Sequence, residues 1–265
     1  MTRLEQFGWQ GPIEGGIARI VSAHGDYYHL ICNEAEGEIL ARKKKSAFRD
    51  REVVKPITGD YVRFIYNANG ESMITEVLPR FSKFERKDPT ARRQAQTLAV
   101  NFDTLFIMMA LNGNFSVPRL ERFLTLANEV GEAEVVVVLT KCDLPHAEPP
   151  SIAVPSLKIS AKTGEGIAEL SARYVKPRST VAFIGSSGVG KSTLLNTLAG
   201  EEWAATGEIQ EWSGKGRHTT TSRELVRLDS GALILDTPGI REIGRLGEAE
   251  MELTKGFSTH RYRIK

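Results

Sequence analysis

The stretch TVAFIGSSGVGKSTLLNTLAG, residues 180–200, restricts the folds open to this chain more than any other feature of it. A β-branched apolar run ends at Gly185, Gly190-Lys191-Ser192 follows after four residues, and apolar residues then recur at helical spacing. Strand, glycine-bounded loop and helix in that order form a phosphate-binding loop, because backbone N–H groups and a helix N-terminus there converge on one anion. The expected cradle is Gly185, Ser186, Ser187, Gly188, Val189, Gly190, Lys191, Ser192 and Thr193. Within it, N–H groups from Gly188 to Ser192 close around a β-phosphate, Lys191 bridges β- and γ-phosphate oxygens, and the Ser192 hydroxyl ligates Mg²⁺. A glycine turn without a ligand does not explain a Lys-Ser pair at this spacing.

A phosphate loop does not choose a base. Thr140-Lys141-Cys142-Asp143 follows the run VVVVL, at the C-terminal end of an expected strand, where ligands bind in parallel sheets. A buried Asp143 there accepts both the N1–H and the exocyclic amine of guanine, while the Lys141 stem covers the ring. Adenine has no matching pair of donors. Ser160-Ala161-Lys162 closes a second apolar run, LKIS, with N–H groups suited to the guanine carbonyl oxygen. Either short motif alone reads as a solvated turn; two of them beside a phosphate loop point to a guanine nucleotide. Further on, ALILD ends at Asp236, whose carboxylate can hold Mg²⁺ through water, and the N–H of Gly239 in Asp236-Thr237-Pro238-Gly239 can meet a γ-phosphate. The segment GKGRHTTTSREL (214–225) offers threonine hydroxyls, Thr220 among them, on a glycine-flanked loop. It is a candidate switch ordered by the γ-phosphate, with a solvated polar connection as the alternative.

These parts stand in an unusual order. Both guanine-reading loops precede the phosphate loop, and the Asp236 strand comes last, so the nucleotide domain is expected to be circularly permuted. Continuous runs such as TLFIMMAL (104–111) and VVVVLT (135–140), alternating with the amphipathic RLERFLTLANEV (119–130), predict an α/β fold, a mainly parallel sheet with helices on both faces. The first 80 residues differ in texture. Short alternating runs, GIARIV, DYYHLICN, GEILAR, DYVRFIY and SMITEVL, are separated by His24-Gly25-Asp26, Gly59-Asp60 and Asn67-Ala68-Asn69-Gly70, the pattern of a small β-barrel. The expected organisation is a barrel over 1–85, a linker over 86–100, the permuted domain over 101–245 and a short tail over 246–265.

Charge supports a division of labour. The whole chain of 265 residues balances 35 Lys+Arg against 33 Asp+Glu, but residues 1–100 carry 16 against 13. Arg42 to Lys55 holds seven basic and two acidic residues, and Arg80 to Arg93 holds six and two. A basic barrel is a common RNA platform, although a solvated loop explains such a run almost as well. Cys32 and Cys142 are too few for a disulfide framework or a four-thiolate zinc site. No signal-peptide pattern opens the sequence and no window is apolar enough for a membrane span, so a soluble cytoplasmic monomer is the expectation.

A barrel followed by a permuted core with TKCD, SAKTGEG, GSSGVGKST, GRHTTT and DTPG resembles the bacterial small-subunit-dependent GTPases of the RsgA (YjeQ) type. The resemblance implies an OB-fold over 17–80, a late role in maturation of the small ribosomal subunit in contact with its rRNA, and GTP hydrolysis to GDP stimulated by that particle. Carried over by position, Lys191, Ser192 and Thr193 bind phosphates, and Ser192, Thr220 and Asp236 hold Mg²⁺. Thr140, Lys141, Asp143, Ser160, Ala161 and Lys162 surround guanine. Ile240 stands where many GTPases place a water-positioning Gln and cannot orient water, which leaves His218 as the candidate for that role, with Lys191 and Thr220 completing the catalytic set. The family pattern continues into a zinc domain with three Cys and one His, for which this sequence has no ligands. That departure keeps a second reading open, a shortened, non-catalytic GTP-gated RNA-binding module. A third, a GTPase serving an unrelated protein partner, would leave the basic barrel unexplained.

Overall fold

The computed structural model describes residues 1–50, 53–86, 96–112, 115–200 and 223–236. One helical turn, α1 (Arg3–Gln6), capped reciprocally by Thr2 and Glu5, precedes five strands: β1 (Ile17–His24), β2 (Tyr27–Cys32), β3 (Ile39–Lys43), β4 (Tyr61–Ile65) and β5 (Ser72–Val77). They coincide with the five alternating runs. Their inward side chains, among them Ile20, Leu30, Val62, Phe64 and Ile74, fill a common interior. The strand order is β1-β2-β3-β5-β4, and β4 returns to pair with β1, so the sheet closes into an OB-like barrel. Only the β3–β5 pairing is parallel.

Two strands follow, β6 (Lys83–Arg86) and β7 (Gln96–Val100), paired antiparallel. Residues 96–100 therefore lie in a strand, although the sequence reading assigned them to a linker. Charge and Pro89 suggested an open connection, but Leu98, Ala99 and Val100 are buried and anchor the run.

The remaining elements are β8 (Thr104–Ala110), α2 (Val117–Leu126), a 3₁₀ turn (Ala127–Glu129), β9 (Glu134–Thr140), β10 (Ser156–Lys158), α3 (Ile167–Tyr174), β11 (Thr180–Gly185), α4 (Lys191–Ala199), β12 (Arg223–Arg227) and β13 (Leu233–Asp236). Their sheet order is β10-β9-β8-β11-β13-β12, parallel throughout except for β12. Every residue of β8 is buried. That is the burial expected of a central parallel strand covered on both faces. One face packs on Leu120, Phe123 and Leu124 of α2, and the other on Leu170 and Tyr174 of α3 with Leu194 and Leu195 of α4. Between β9 and β10 no helix forms. The proline-rich segment instead runs as an extended strap, with Ile152 and Val154 set against the core.

Barrel and nucleotide sheet are continuous. Ser22 and Ala23 of β1 pair with Glu224 and Arg223 of β12, giving one eleven-stranded sheet. A register shift between Ile20 and Ser22 interrupts the β1–β2 ladder just before that junction. Val21 and Ile31, outward-facing on the barrel, share a buried cluster with Leu225 and Leu235. Arg19 is completely buried at the seam and donates to the carbonyls of Phe7 (2.6 Å), Asn101 (2.7 Å) and Gly59 (3.4 Å). Its guanidinium lies 4.7 Å from the centre of the Tyr61 ring. Three chain segments are thus tied to one cation, which a buried arginine requires to offset its desolvation. Arg178 adds a second tie, donating to the carbonyls of Glu5 (3.0 Å) and Trp9 (3.2 Å). Among the described residues no helix is long and apolar enough to cross a membrane.

Candidate nucleotide-binding site

The phosphate loop adopts the strand, turn and helix that its sequence dictates. Gly185 ends β11 against β8, where an added Cβ would stand 2.8 Å from the Met108 carbonyl oxygen. Gly188 (φ 72°) and Gly190 (φ 97°) occupy left-handed backbone with no crowding, so conformation rather than space demands glycine there. Gly190 is the N-cap of α4, and no side chain caps that helix. The first turn of any helix has N–H groups that its own carbonyls cannot accept, and at α4 this turn faces the loop's concave side, an arrangement that suits an anion. Lys191 Nζ donates to the carbonyls of Gly185 (2.7 Å) and Ser186 (3.4 Å), folding the ammonium back over its own loop.

The two loops expected to read guanine are joined to that cradle by a buried hydroxyl. Thr140 ends β9, and its Oγ1 donates to the Val189 carbonyl at 2.6 Å, fixing the first base loop against the phosphate loop. Lys141 then takes a left-handed backbone (φ 61°) and turns the chain out of the sheet. The second loop is braced from within. Ser160 is buried, its Oγ accepts from Thr163 N (3.2 Å), and its carbonyl accepts from Gly164 N (2.8 Å). Gly166 (φ 71°) closes the loop onto β10, where any Cβ would collide with the Lys158 carbonyl at 2.2 Å.

Between the two loops and α4 lies a cleft of ≈ 320 Å³. Thr140, Lys141, Asp143, Ser160, Ala161 and Lys162 line it, with Gly190 and Thr193 from the phosphate side. Residues far apart in sequence are thus gathered at the C-terminal ends of β9, β10 and β11. The sequence reading missed three apolar residues of the lining, the exposed Leu144 and the buried Ile159 and Leu194 behind it. Leu144 directly follows Asp143 and is 40% exposed; an apolar residue ending a polar loop was the available signal. Asp143 differs from expectation, since it is exposed rather than buried. It lies beyond the end of β9, where no neighbouring strand among the described residues covers it. Burial pushes the Cys142 thiol upward, and Glu165 and Asp143 add to the shift, so this cysteine is poorly suited to act as a thiolate.

Ser192 lies in the first turn of α4 and Asp236 ends β13, the strand beside β11. A hydroxyl and a carboxylate are the hard oxygen donors that Mg²⁺ prefers, with water completing its shell. His218, Thr220, Gly239 and Ile240 lie outside the described residues.

The model of the RsgA GTPase family matches residues 77–246. The chain belongs to that family. A "Small ribosomal subunit biogenesis GTPase RsgA 2" from Lactiplantibacillus plantarum is 40% identical over 235 residues, covering 86% of this chain and 66% of the relative. A "Small ribosomal subunit biogenesis GTPase RsgA" from Opitutus terrae is 43% identical over 283 aligned positions, covering 96% and 76%. The chain thus spans about two thirds to three quarters of the length of these RsgA relatives. Among solved structures, YjeQ from Thermotoga maritima superposes with a TM-score of 0.61 at 27% identity, over 86% of this chain and 76% of that one. YloQ, a circularly permuted GTPase, shares the fold with a TM-score of 0.56 at 20% identity, over 84% and 70%. The permuted α/β architecture behind an OB-like barrel is the one expected from the order of the motifs.

Proposed function

We propose that this chain binds GTP in the cleft between the Thr140 and Ser160 loops and hydrolyses it to GDP and phosphate during maturation of the small ribosomal subunit. The carrying observation is the convergence of the phosphate loop and both base loops on one cleft, with Thr140 hydrogen-bonded to Val189 between them.

The division of work follows from chemistry. Asp143 accepts from N1–H and the exocyclic amine of guanine, Lys141 and Leu144 flank the ring, and the Ser160–Lys162 loop faces the base carbonyl. The Gly188–Ser192 amides and the α4 terminus hold the β-phosphate. Lys191 leaves its carbonyl partners for β- and γ-phosphate oxygens as charge develops there, a stabilisation that needs no rearrangement of the loop. Ser192, Thr220 and Asp236 would hold Mg²⁺, which supplies charge neutralisation across the β- and γ-phosphates. His218 would place the attacking water, because Ile240 has no group to do so. With only one imidazole for that task, unaided turnover is slow and the particle accelerates it.

The rRNA contact proposed for the barrel falls on Lys44 and Lys45, both exposed in the turn after β3. Arg80, counted in the second basic run, is unavailable. It forms two 2.7 Å bonds to the buried Asp60 carboxylate and serves the barrel itself. The chain would act as a monomer in the cytoplasm. The test is GTP turnover by the chain with and without purified small subunits. Acceleration by the particle supports the proposal, and identical rates at saturating particle, with GTP bound, overturn it.

A further inference from the structure

Alternation along the barrel strands sends every second side chain outward, and these outward residues meet two fates. Val21 and Ile31 are covered by the nucleotide half. Tyr27, Arg42, Met73 and Ile65 are not, and strand register makes them one row: Tyr27 is the cross-strand partner of Arg42, Arg42 of Met73, and Met73 of Ile65. At the usual spacing between strands the row is about 14 Å long. Tyr27 is 39% exposed, Met73 43% and Ile65 53%, and exposed Leu40 lies beside them on β3. The described part of the nucleotide half, by contrast, exposes Leu144 alone among large apolar side chains, and Leu144 has the cleft to explain it.

Charges around the row decide what it suits. Arg42 stacks on the Tyr27 ring at 4.1 Å and pairs with Glu71 at 2.7 Å. Lys43 meets Asp26 at 3.6 Å, Arg63 meets Glu76 and Glu14 at 3.7 Å, and His29 faces Glu38 at 3.4 Å. Each cation of this rim has a carboxylate partner, and the carboxylates outnumber Arg42, Lys43 and Arg63. RNA binding is driven by cations that exchange counterions for phosphates, and a rim of this composition supplies little of that drive. An apolar centre of Tyr, Met and Ile, with a stacked Arg and a rim of paired charges, instead has the composition of a protein–protein interface. The barrel is closed by the β1–β4 pairing, so a partner cannot add a strand here and must dock through side chains.

We propose that the Tyr27–Arg42–Met73–Ile65 row is the centre of a docking surface for a folded protein of the small-subunit particle, one presenting an apolar patch within a mixed-charge rim. This rests on the proposed action at that particle, with the rRNA contact left to the neighbouring Lys44–Lys45 turn. The experiment places the photoreactive residue p-benzoylphenylalanine at Met73 in the full chain, loads it with a non-hydrolysable GTP analogue and irradiates it on purified small subunits. The expected adduct survives ribonuclease and is destroyed by protease. An adduct to rRNA alone overturns the proposal in favour of RNA, and co-sedimentation without any adduct overturns it outright. If the unmodified chain fails to co-sediment, the particle reading itself falls and this one with it. A chain carrying both Ile65→Ser and Met73→Ser, neutral changes at half-exposed positions, is expected to bind subunits at least tenfold more weakly. Its GTP affinity and the salt dependence of its subunit binding should be unchanged; unchanged subunit affinity overturns the proposal.

Discussion

The two halves of this molecule expose opposite things. In the nucleotide half the strands are buried on both faces and the chemistry sits in loops at their C-terminal ends, where backbone amides and a few side chains meet a small cleft. In the barrel the strands themselves present to solvent a row of Tyr27, Met73 and Ile65 around Arg42, within a rim of paired charges. The first arrangement suits a ligand whose every polar atom must be matched; the second suits a broad partner met by a mosaic of side chains. The β1–β12 pairing, the buried Arg19, Arg178 and the cluster of Val21 and Ile31 with Leu225 and Leu235 hold the two together.

The comparison is broken most forcefully at the base loop. Asp143→Asn removes the charged acceptor of two hydrogen bonds at ~2 kcal/mol each, and GTP affinity is expected to fall roughly 10³-fold. Xanthosine triphosphate, which offers an oxygen where guanine has the amine, should recover most of that loss. Equilibrium binding of the two fluorescent nucleotides checks both halves of the expectation. Unchanged GTP affinity would mean that the cleft does not read guanine.

Next in size is the seam. Arg19→Met takes a donor from the carbonyls of Phe7, Asn101 and Gly59. Phe7 keeps the Tyr61 hydroxyl (3.1 Å) and Gly59 keeps Asn101 Nδ2 (3.2 Å), so the cost falls mainly on the Asn101 carbonyl and is roughly 2 kcal/mol. Because β1 and β12 are paired and Val21 packs with Leu225, the loss should lower a single unfolding transition seen alike by barrel and nucleotide probes. Two separated transitions in the unsubstituted chain would show that the halves are mechanically independent. Asp60, buried beneath β4, sharpens the same point. Burial raises its carboxyl pKa against the pull of Arg80. A raised folded pKa means that its contribution is greatest at low pH and weakens as pH rises through the folded value, opposite in sense to an ordinary surface carboxylate.

These cases also show what the sequence made legible. Gly185, Lys191, Asp143 and Ser160 announce themselves because phosphate and guanine chemistry fixes residue type and spacing. The alternating runs marked the barrel because a closed sheet with a filled interior imposes period two. By contrast, Arg19, Asn101 and Arg178 meet across long stretches of chain, and no local pattern says that an arginine in an apolar run will find three carbonyls. The Tyr27–Met73–Ile65 row is invisible for the same reason, since it exists only once register is set. Charge runs are coarser guides: within them Arg42 and Lys43 are paired with carboxylates and Arg80 holds Asp60, while Lys44 and Lys45 stay exposed. Residues 96–100, assigned to a linker, form β7.

A smaller effect tests how the cleft is assembled. Thr140→Val keeps the shape of the buried side chain and removes the 2.6 Å bond to Val189, leaving that carbonyl unpaired at a cost of about 1–2 kcal/mol. If Thr140 positions the base loop against the phosphate loop, GTP and GDP should weaken about tenfold while inorganic triphosphate, which ignores the base loop, is held as before. Equal loss for all three would mark Thr140 as merely structural.

The smallest expected effect separates the two surfaces of the barrel. Lys44 and Lys45 are exposed and lie outside the paired rim, so replacing both by Ala should cost only a few-fold in subunit affinity at moderate salt. The informative quantity is the slope of log affinity against log salt, because each phosphate contact to single-stranded RNA contributes about 0.7 to it and two contacts about 1.4. Met73→Ser, which changes no charge, should do the reverse, lowering affinity at every salt concentration and leaving the slope intact. An apolar contact releases no counterions, whereas a lysine–phosphate contact releases them whatever else it does. If both substitutions shift the slope, the barrel meets RNA on both surfaces. If neither substitution changes slope or affinity, the particle is held by the nucleotide half, and the docking surface proposed for the barrel falls.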